Sequence, residues 1–201
     1  LLNKVYKLDL SKNACASLYQ KTEGWIAGLM LAILSLKEDR NKERFITEFT
    51  GSHRFILDYL VDEVLSGLPE DIRDFMLKIS VMEKFCPDVC QAVTKNPETL
   101  KHLKYIKANN LFLIPLDHQG NWFRYHHLFR EFLLKHLLEK KKDDITNLHS
   151  KAFFWFKENG DIQQALNHSI KAKQFDRAAR LLSQKAPELL DGYQDYLFIH
   201  F

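Results

Sequence analysis

Apolar positions in this chain recur mostly at helical spacing. In TEGWIAGLMLAILSLK, Leu29, Ala32, Ile33 and Leu36 mark one face of a helix that Thr22 is placed to cap. Gly24 and Gly28 each lower helix propensity by about 1 kcal/mol relative to Ala, a cost tolerated where something must approach the backbone closely. Further on, Ser52 is placed to cap a helix carrying Leu57, Leu60, Val61, Val64, Leu65 and Leu68 as one buried stripe. Pro69 restarts the pattern, with Glu70 and Asp71 at the positive end of a helix whose apolar face is Ile72, Phe75, Met76 and Ile79. A shorter helix is expected over 88–94. Asn96-Pro97-Glu98 starts another, with Leu100, Leu103 and Ile106 on one side, and Ala108-Asn109-Asn110 ends it.

There the period changes. Leu111-Phe112-Leu113-Ile114 is a β-prone run, Asp117-His118-Gln119-Gly120 a turn, and Trp122-Phe123-Arg124-Tyr125 the answering strand. Three helices followed by a hairpin is the order of a winged helix, expected over 69–142 with its wing at 111–125. Past the charged stretch 140–144, Ile145, Leu148, Ala152, Trp155 and Phe156 form a helical stripe, and Asn159-Gly160-Asp161 stops one helix and caps the next. Ile162, Ala165 and Leu166 are echoed by Phe175, Ala178 and Ala179, as in stacked helix pairs of an α-solenoid. One such unit cannot bury its own face, so further repeats are expected in the intact protein. The predicted fold class is therefore mainly α: a helical segment over 1–68, a winged helix with one β-hairpin over 69–142, and the start of a TPR-like helical-repeat array over 143–201. The closing DGYQDYLFIHF departs from the pattern.

Composition narrows the function. Of 201 residues, 46% are hydrophobic and 27% charged, which is ordinary for a folded domain, and the formal charge of +3 carries no strong nucleic-acid signature. Cys15, Cys86 and Cys90 form no regular framework, which points to free thiols in a reducing compartment, and Cys86-Pro-Asp-Val-Cys90 reads as buried thiols rather than a metal site. The longest uncharged apolar run, 25–36, is far short of the ~20 residues a bilayer span needs, and no leader opens the chain. No membrane and a cytoplasmic location are the expectations. GxxxxGK, GxGxxG and HExxH are absent. Gly51-Ser52-His53 sets a hydroxyl beside an imidazole, but a catalytic pair also needs a third group and a shaped pocket, so Ser52 reads as a cap. The paired carboxylates Asp62-Glu63 and Glu70-Asp71 sit on polar helix faces. The chain is not expected to be an enzyme by itself.

Two adjacent histidines, His126 and His127, stand where the second strand meets the next helix. A metal is not expected there, because neighbouring side chains diverge and no third ligand follows at a suitable spacing. Two readings remain: packing beneath the wing, or an anion site in which a histidine assists the free N–H groups of a helix N-terminus. His136 reads as a partly buried neutral imidazole. In a DNA-binding winged helix the reader would be 97–109, where Lys101, Lys104 and Lys107 face away from the apolar side; Glu98 and Asp117 stand where phosphates would approach.

TEGWIAGLMLAILSL, FTGSHRFILDYLVDEVL, NNLFLIPLDHQGNWFRYHHLFREFL and HSKAFFWFKENGDIQQALNHSIKAKQFDRAARLL occur in this order, and together they resemble MalT-like, ATP-dependent LuxR-type transcriptional activators of the STAND class of signal-transduction ATPases. The resemblance runs from Asp9 to Leu190. It implies a middle slice of a larger switch protein, between a P-loop ATPase domain and a helical-repeat sensor. Inducer is bound by the repeats, and DNA by a helix-turn-helix at the far C-terminus. It implies no cofactor held by this segment alone, and ATP or ADP with Mg in the full-length protein. Tyr125-His126-His127-Leu128 aligns with the Met-His-Asp motif of the class, placing His126 on the β-phosphate of ADP, with His127 in place of the acidic residue. Gly24-Trp25-Ile26 falls where the class has Gly-Leu-Pro beside the adenine, which makes Trp25 the second candidate nucleotide contact. The alternatives are a helical adaptor that binds a partner protein without nucleotide, and a winged helix that itself binds DNA.

Overall fold

A computed structural model describes residues 2–3, 6, 8–38, 41–51 and 53–186. The first unit contains α1 (Lys12–Thr22), α2 (Ile26–Glu38), α3 (Lys42–Glu48) and α4 (Arg54–Leu60), which runs into a π-helical turn at Val61–Leu65. Ser11 caps α1 by accepting from the amide of Ala14 at 3.1 Å. Thr22 does not cap α2 as its sequence context suggests. It closes α1, its hydroxyl donating back to the Leu18 carbonyl at 3.0 Å, and the chain turns through Glu23 at φ 46° before α2 begins. The apolar face expected for α2 is present: Ala32, Ile33 and Leu36 are buried and Leu29 half-buried. Gly28 is needed because the Trp25 indole lies against it; a Cβ there would fall 2.2 Å from a ring carbon.

The stripe expected over 57–68 packs against the core except at Val61, where the π turn begins. One extra residue in that turn rotates everything after it by about 100° relative to a continuous helix. Ile56, Leu60 and Leu65 are fully packed, Leu57, Val64 and Leu68 are half-buried against the same core, and Val61 is 38% exposed. Ser52, read as the cap of this helix, lies outside the described residues, as does the closing DGYQDYLFIHF.

The second unit holds α5 (Glu70–Ile79), α6 (Pro87–Thr94), α7 (Thr99–Ala108), β1 (Leu113–Pro115), β2 (Phe123–Tyr125) and α8 (His127–Lys140). Ile72, Phe75, Met76 and Ile79 are buried as their spacing requires. Arg130 of α8 donates to the carbonyls of Ser80, Val81 and Met82, satisfying acceptors at the end of α5. In α7 the expected face is partly wrong. Leu103 and Ile106 are buried, but Leu100 is 60% exposed. Three-residue steps fall about 60° short of a full turn each, so Leu100 and Ile106 point about 120° apart. The inner position goes to His102, whose ring lies 3.0 Å from Asn96 Nδ2 and 3.1 Å from Asp71 Oδ2.

The hairpin is antiparallel, with Leu113 opposite Tyr125, Ile114 opposite Arg124 and Pro115 opposite Phe123. Asp117 closes it by accepting from the amides of Asn121 and Trp122, both at 2.9 Å. β2 also exchanges two 2.8 Å backbone bonds with Phe85, which anchors the wing to the segment before α6. Phe112 stacks on Phe129 at 4.5 Å beside a fully buried Tyr125.

α9 (Lys142–Glu158) follows α8 after the single residue Lys141, which pairs with Asp74. α10 (Ile162–Lys171), capped by Asp161 at 3.1 Å from the Gln164 amide, folds back on α9, and a last helix, α11, covers 175–186. Leu148, Ala152 and Phe156 are buried, as are the echoed Ala165 and Ala178, whereas Phe175 is exposed. Among the described residues no helix is long and apolar enough to cross a membrane.

Candidate functional site

Both residues singled out as nucleotide contacts lie in one cluster where the first unit meets the winged helix. His126 is the N-cap of α8: its amide donates to the Phe112 carbonyl and its carbonyl accepts from Arg130, each at 2.9 Å. Its ring is buried, with Nε2 2.8 Å from the carbonyl oxygen of Thr22. A carbonyl can only accept, so Nε2 carries a hydrogen, and Nδ1 is buried with no hydrogen-bond partner. Burial holds the His126 imidazole below its ordinary pKa, against the opposing pull of the Thr22 carbonyl and the Glu23 charge. The ring is therefore neutral near pH 7. Trp25 stands edge-on to it, ring centres 5.8 Å apart at 66°, and Phe112 and Tyr59 pack around the same indole.

Glu23 is the residue the sequence reading passed over. The left-handed turn after α1 carries its carboxylate to the start of α8. There it lies 3.1 Å from an Arg124 guanidinium nitrogen, 3.2 Å from His127 Nδ1 and 3.6 Å from His126 Nε2. Burial pushes the carboxyl upward, but hydrogen bonds and charge from Arg124, His126 and His127 outweigh it and hold the group below the usual carboxylate range. A non-glycine residue at positive φ costs roughly 1 kcal/mol, and these contacts offset it.

The expectation that adjacent histidine side chains diverge is corrected. The rings of His126 and His127 stack at 5.0 Å and 17°, and Glu23 supplies the third ligand atom that local spacing lacks. The reason is the helix start itself: His126 is the extended cap and His127 the first helical residue, and both rings turn toward the end of α1. A carboxylate 103 positions away has no signature in local periodicity. A second tie lies close by. The Gly51 amide donates to Glu131 Oε2 at 2.8 Å, with the α3–α4 turn seated directly on the Leu128 carbonyl.

Other singled-out residues lie elsewhere. Lys101, Lys104 and Lys107 are exposed on α7, with Lys101 paired to Glu98 and Lys107 over the Phe123 ring. Cys86 and Cys90 are buried thiols, their pKa values raised by that burial. His136 is half-buried, its pKa lowered by burial and by Lys140. An unforeseen buried pair, His149 on α9 and His168 on α10, meets Nδ1 to Nδ1 at 2.8 Å.

Residues 61–145 match the family described as the MalT winged helix domain. Over 189 residues the chain is 31% identical to serine/threonine-protein kinase PknK of Mycobacterium tuberculosis (strain CDC 1551 / Oshkosh), covering 94% of this chain and 17% of that protein. It is 30% identical over 165 residues to the HTH-type transcriptional regulator MalT of Vibrio campbellii (strain ATCC BAA-1116), covering 81% and 18%. With MalT of Klebsiella pneumoniae (strain 342) it shares 30% over 153 residues, covering 74% and 17%. The chain thus spans less than a fifth of the length of these relatives. The hairpin, the helices around it and these matches agree: this chain is MalT-like, and its residues 61–145 form a winged helix of the MalT family.

Proposed function

We propose that this chain is the coupling segment of a nucleotide-switched transcription regulator, joining a P-loop ATPase module to a helical-repeat sensor that binds an inducer. ATP or ADP with Mg would be held chiefly by the P-loop module, and promoter DNA by a separate helix-turn-helix. The segment itself would perform no catalysis, and it would work in the cytoplasm. The observation that carries this reading is the His126 Nε2 hydrogen bond to the Thr22 carbonyl at 2.8 Å, next to Trp25. That hydrogen has two claimants. In the state described here it ties the winged helix to the end of α1. In the ADP-bound state it would pass to a β-phosphate oxygen, with Trp25 beside the adenine, and Thr22 would be released. A donor that serves one partner at a time couples nucleotide to the angle between the two units, and such couplings are typically worth about 1–3 kcal/mol.

The test is His126→Ala in the full-length protein. ADP retention should weaken by roughly 5–150-fold, the range that coupling implies, and basal transcription should rise. Unchanged ADP affinity together with unchanged basal transcription ends the proposal.

A second reading is favoured by one observation: a protein named as a kinase matches 94% of this chain, against 81% for the transcription regulator of Vibrio campbellii. The segment would then be a general coupling or adaptor module, serving whatever effector domain adjoins it. The reading frame on either side separates the two, because a GxxxxGK segment upstream and a distal helix-turn-helix favour the first reading.

A further inference from the structure

We propose that Glu23, His126 and His127 form a binding site for a divalent ion of the zinc, cobalt or nickel type, bridging the end of α1 and the start of α8. One ligand atom from each of the three residues lies within 4.8 Å of the other two. The carboxylate reaches the two rings through different oxygens, Oε1 at 3.2 Å from His127 Nδ1 and Oε2 at 3.6 Å from His126 Nε2. Ligand atoms about 2.0–2.1 Å from a tetrahedral ion stand roughly 3.4 Å apart, so each oxygen already stands near ligand spacing from one ring, and a modest turn of the carboxylate brings one oxygen, or both, onto an ion shared with the two rings.

The donor set decides which ion fits. Two imidazoles and one carboxylate suit first-row transition metals, whereas Mg prefers oxygen ligands and retains its waters. Arg124 holds the carboxylate through Oε2, in the manner of the outer partners that orient ligating carboxylates, and it is one-third exposed, so it can lean toward water as the ion enters. His127 and Glu23 are also partly exposed, which leaves a route in and open positions for water. The cost falls on His126. To present a lone pair at Nε2 the ring moves its hydrogen to Nδ1, with no net proton released, and gives up its bond to Thr22. Nδ1 is unpartnered in either tautomer, so that exchange loses one hydrogen bond and gains a metal–nitrogen bond.

An ion held this way spans two units, so binding should stabilise the fold as well as occupy a site. The experiment is a titration of the 201-residue chain with Co(II), read by visible absorption and by thermal unfolding, with Mg as the comparison ion. Glu23→Gln and His127→Gln are titrated in parallel, their folding checked by circular dichroism. His126 is left intact, so that metal binding is read separately from any role of that residue toward nucleotide. Expected are d–d bands of low-symmetry coordination, a rise in melting temperature with Co(II) but not with Mg, and affinity at least about tenfold weaker in each variant. Should Glu23→Gln fail to fold, His127→Gln alone decides. Absence of d–d bands in the parent chain overturns the proposal, and so does Co(II) binding that survives His127→Gln undiminished, since the ion would then sit elsewhere.

Discussion

Gly51→Ala tests the contact between the two units most directly. A Cβ at Gly51 would lie 1.8 Å from the Leu128 carbonyl oxygen, 2.7 Å from its carbon and 3.0 Å from its Cα. All three are backbone atoms in the first turn of α8, so no side chain can swing aside. The α3–α4 turn would have to retreat by more than about 1 Å, which stretches the 2.8 Å Gly51–Glu131 bond past useful length. Overpacking costs about 1–3 kcal/mol, and a lost hydrogen bond to a charged acceptor about 1.5–3 kcal/mol. The expected loss is about 3–5 kcal/mol, or roughly 10 °C in melting temperature for a chain of this length. Gly67→Ala is the control, because a Cβ there meets nothing within 4 Å and should change stability by less than about 1 kcal/mol. Urea unfolding followed by far-ultraviolet circular dichroism measures both. If Gly51→Ala stays within about 1 kcal/mol of the parent, the α3–α4 turn does not rest on α8 and the junction is not tightly packed.

Two further perturbations read the interior. The Tyr125 hydroxyl is buried without a partner, so Tyr125→Phe should raise stability by about 1 kcal/mol in the same urea assay; a loss of that size would mean that the hydroxyl is satisfied. Burial and the Lys171 and Arg130 charges depress His149 to about 4, and burial with the His149 and Lys171 charges depresses His168 to about 3. The unfolded chain therefore binds more protons than the folded one between pH 6.5 and about 4. Stability is full above pH 6.5 and falls as pH drops through that window, by up to about 1.4 kcal/mol per pH unit for each histidine. His149→Gln should flatten the slope by about one histidine's share, and an unchanged slope would show that the pair is not what titrates.

Features set by one segment alone were legible in the sequence. Ile72, Phe75, Met76 and Ile79 lie on α5 as their spacing requires, the hairpin forms around Asp117, and Asp161 caps α10. What escaped depended on geometry that periodicity does not carry. The π turn at Val61–Leu65 shifts a face by one residue without any Pro or Gly to announce it. Leu100 fits a three-residue pattern that drifts around the helix, while His102, a polar residue, takes the buried place because Asn96 and Asp71 satisfy both its nitrogens. Thr22 looks like a cap from either side, and only the left-handed turn at Glu23 shows which helix it ends. At the candidate site, the resemblance singled out His126 and Trp25, which do meet. Their decisive partners were a backbone carbonyl and a glutamate some hundred positions distant, and no local pattern encodes either.

Three polar ties between the units, among the described residues, share one feature that bears on how the junction opens. Thr22 holds His126, Glu23 holds Arg124 and His127, and Gly51 rests on Leu128 and Glu131, so each of these ends within residues 124–131, close to the Trp25–Phe112 ring contact. Those residues span the end of β2 and the first turn of α8, which are fixed to each other by the His126 amide bond to Phe112 and the stacking of Phe112 on Phe129. A movement that carries the docking turn away from the first unit as one body lengthens all of these 2.8–3.2 Å bonds together, and sub-ångström misfits already forfeit such bonds. Opening is therefore expected to be all-or-none rather than gradual. A ligand that takes the hydrogen of His126 and draws the docking turn away with it would then part Glu23 and the α3–α4 turn from α8 as well, although it touches neither.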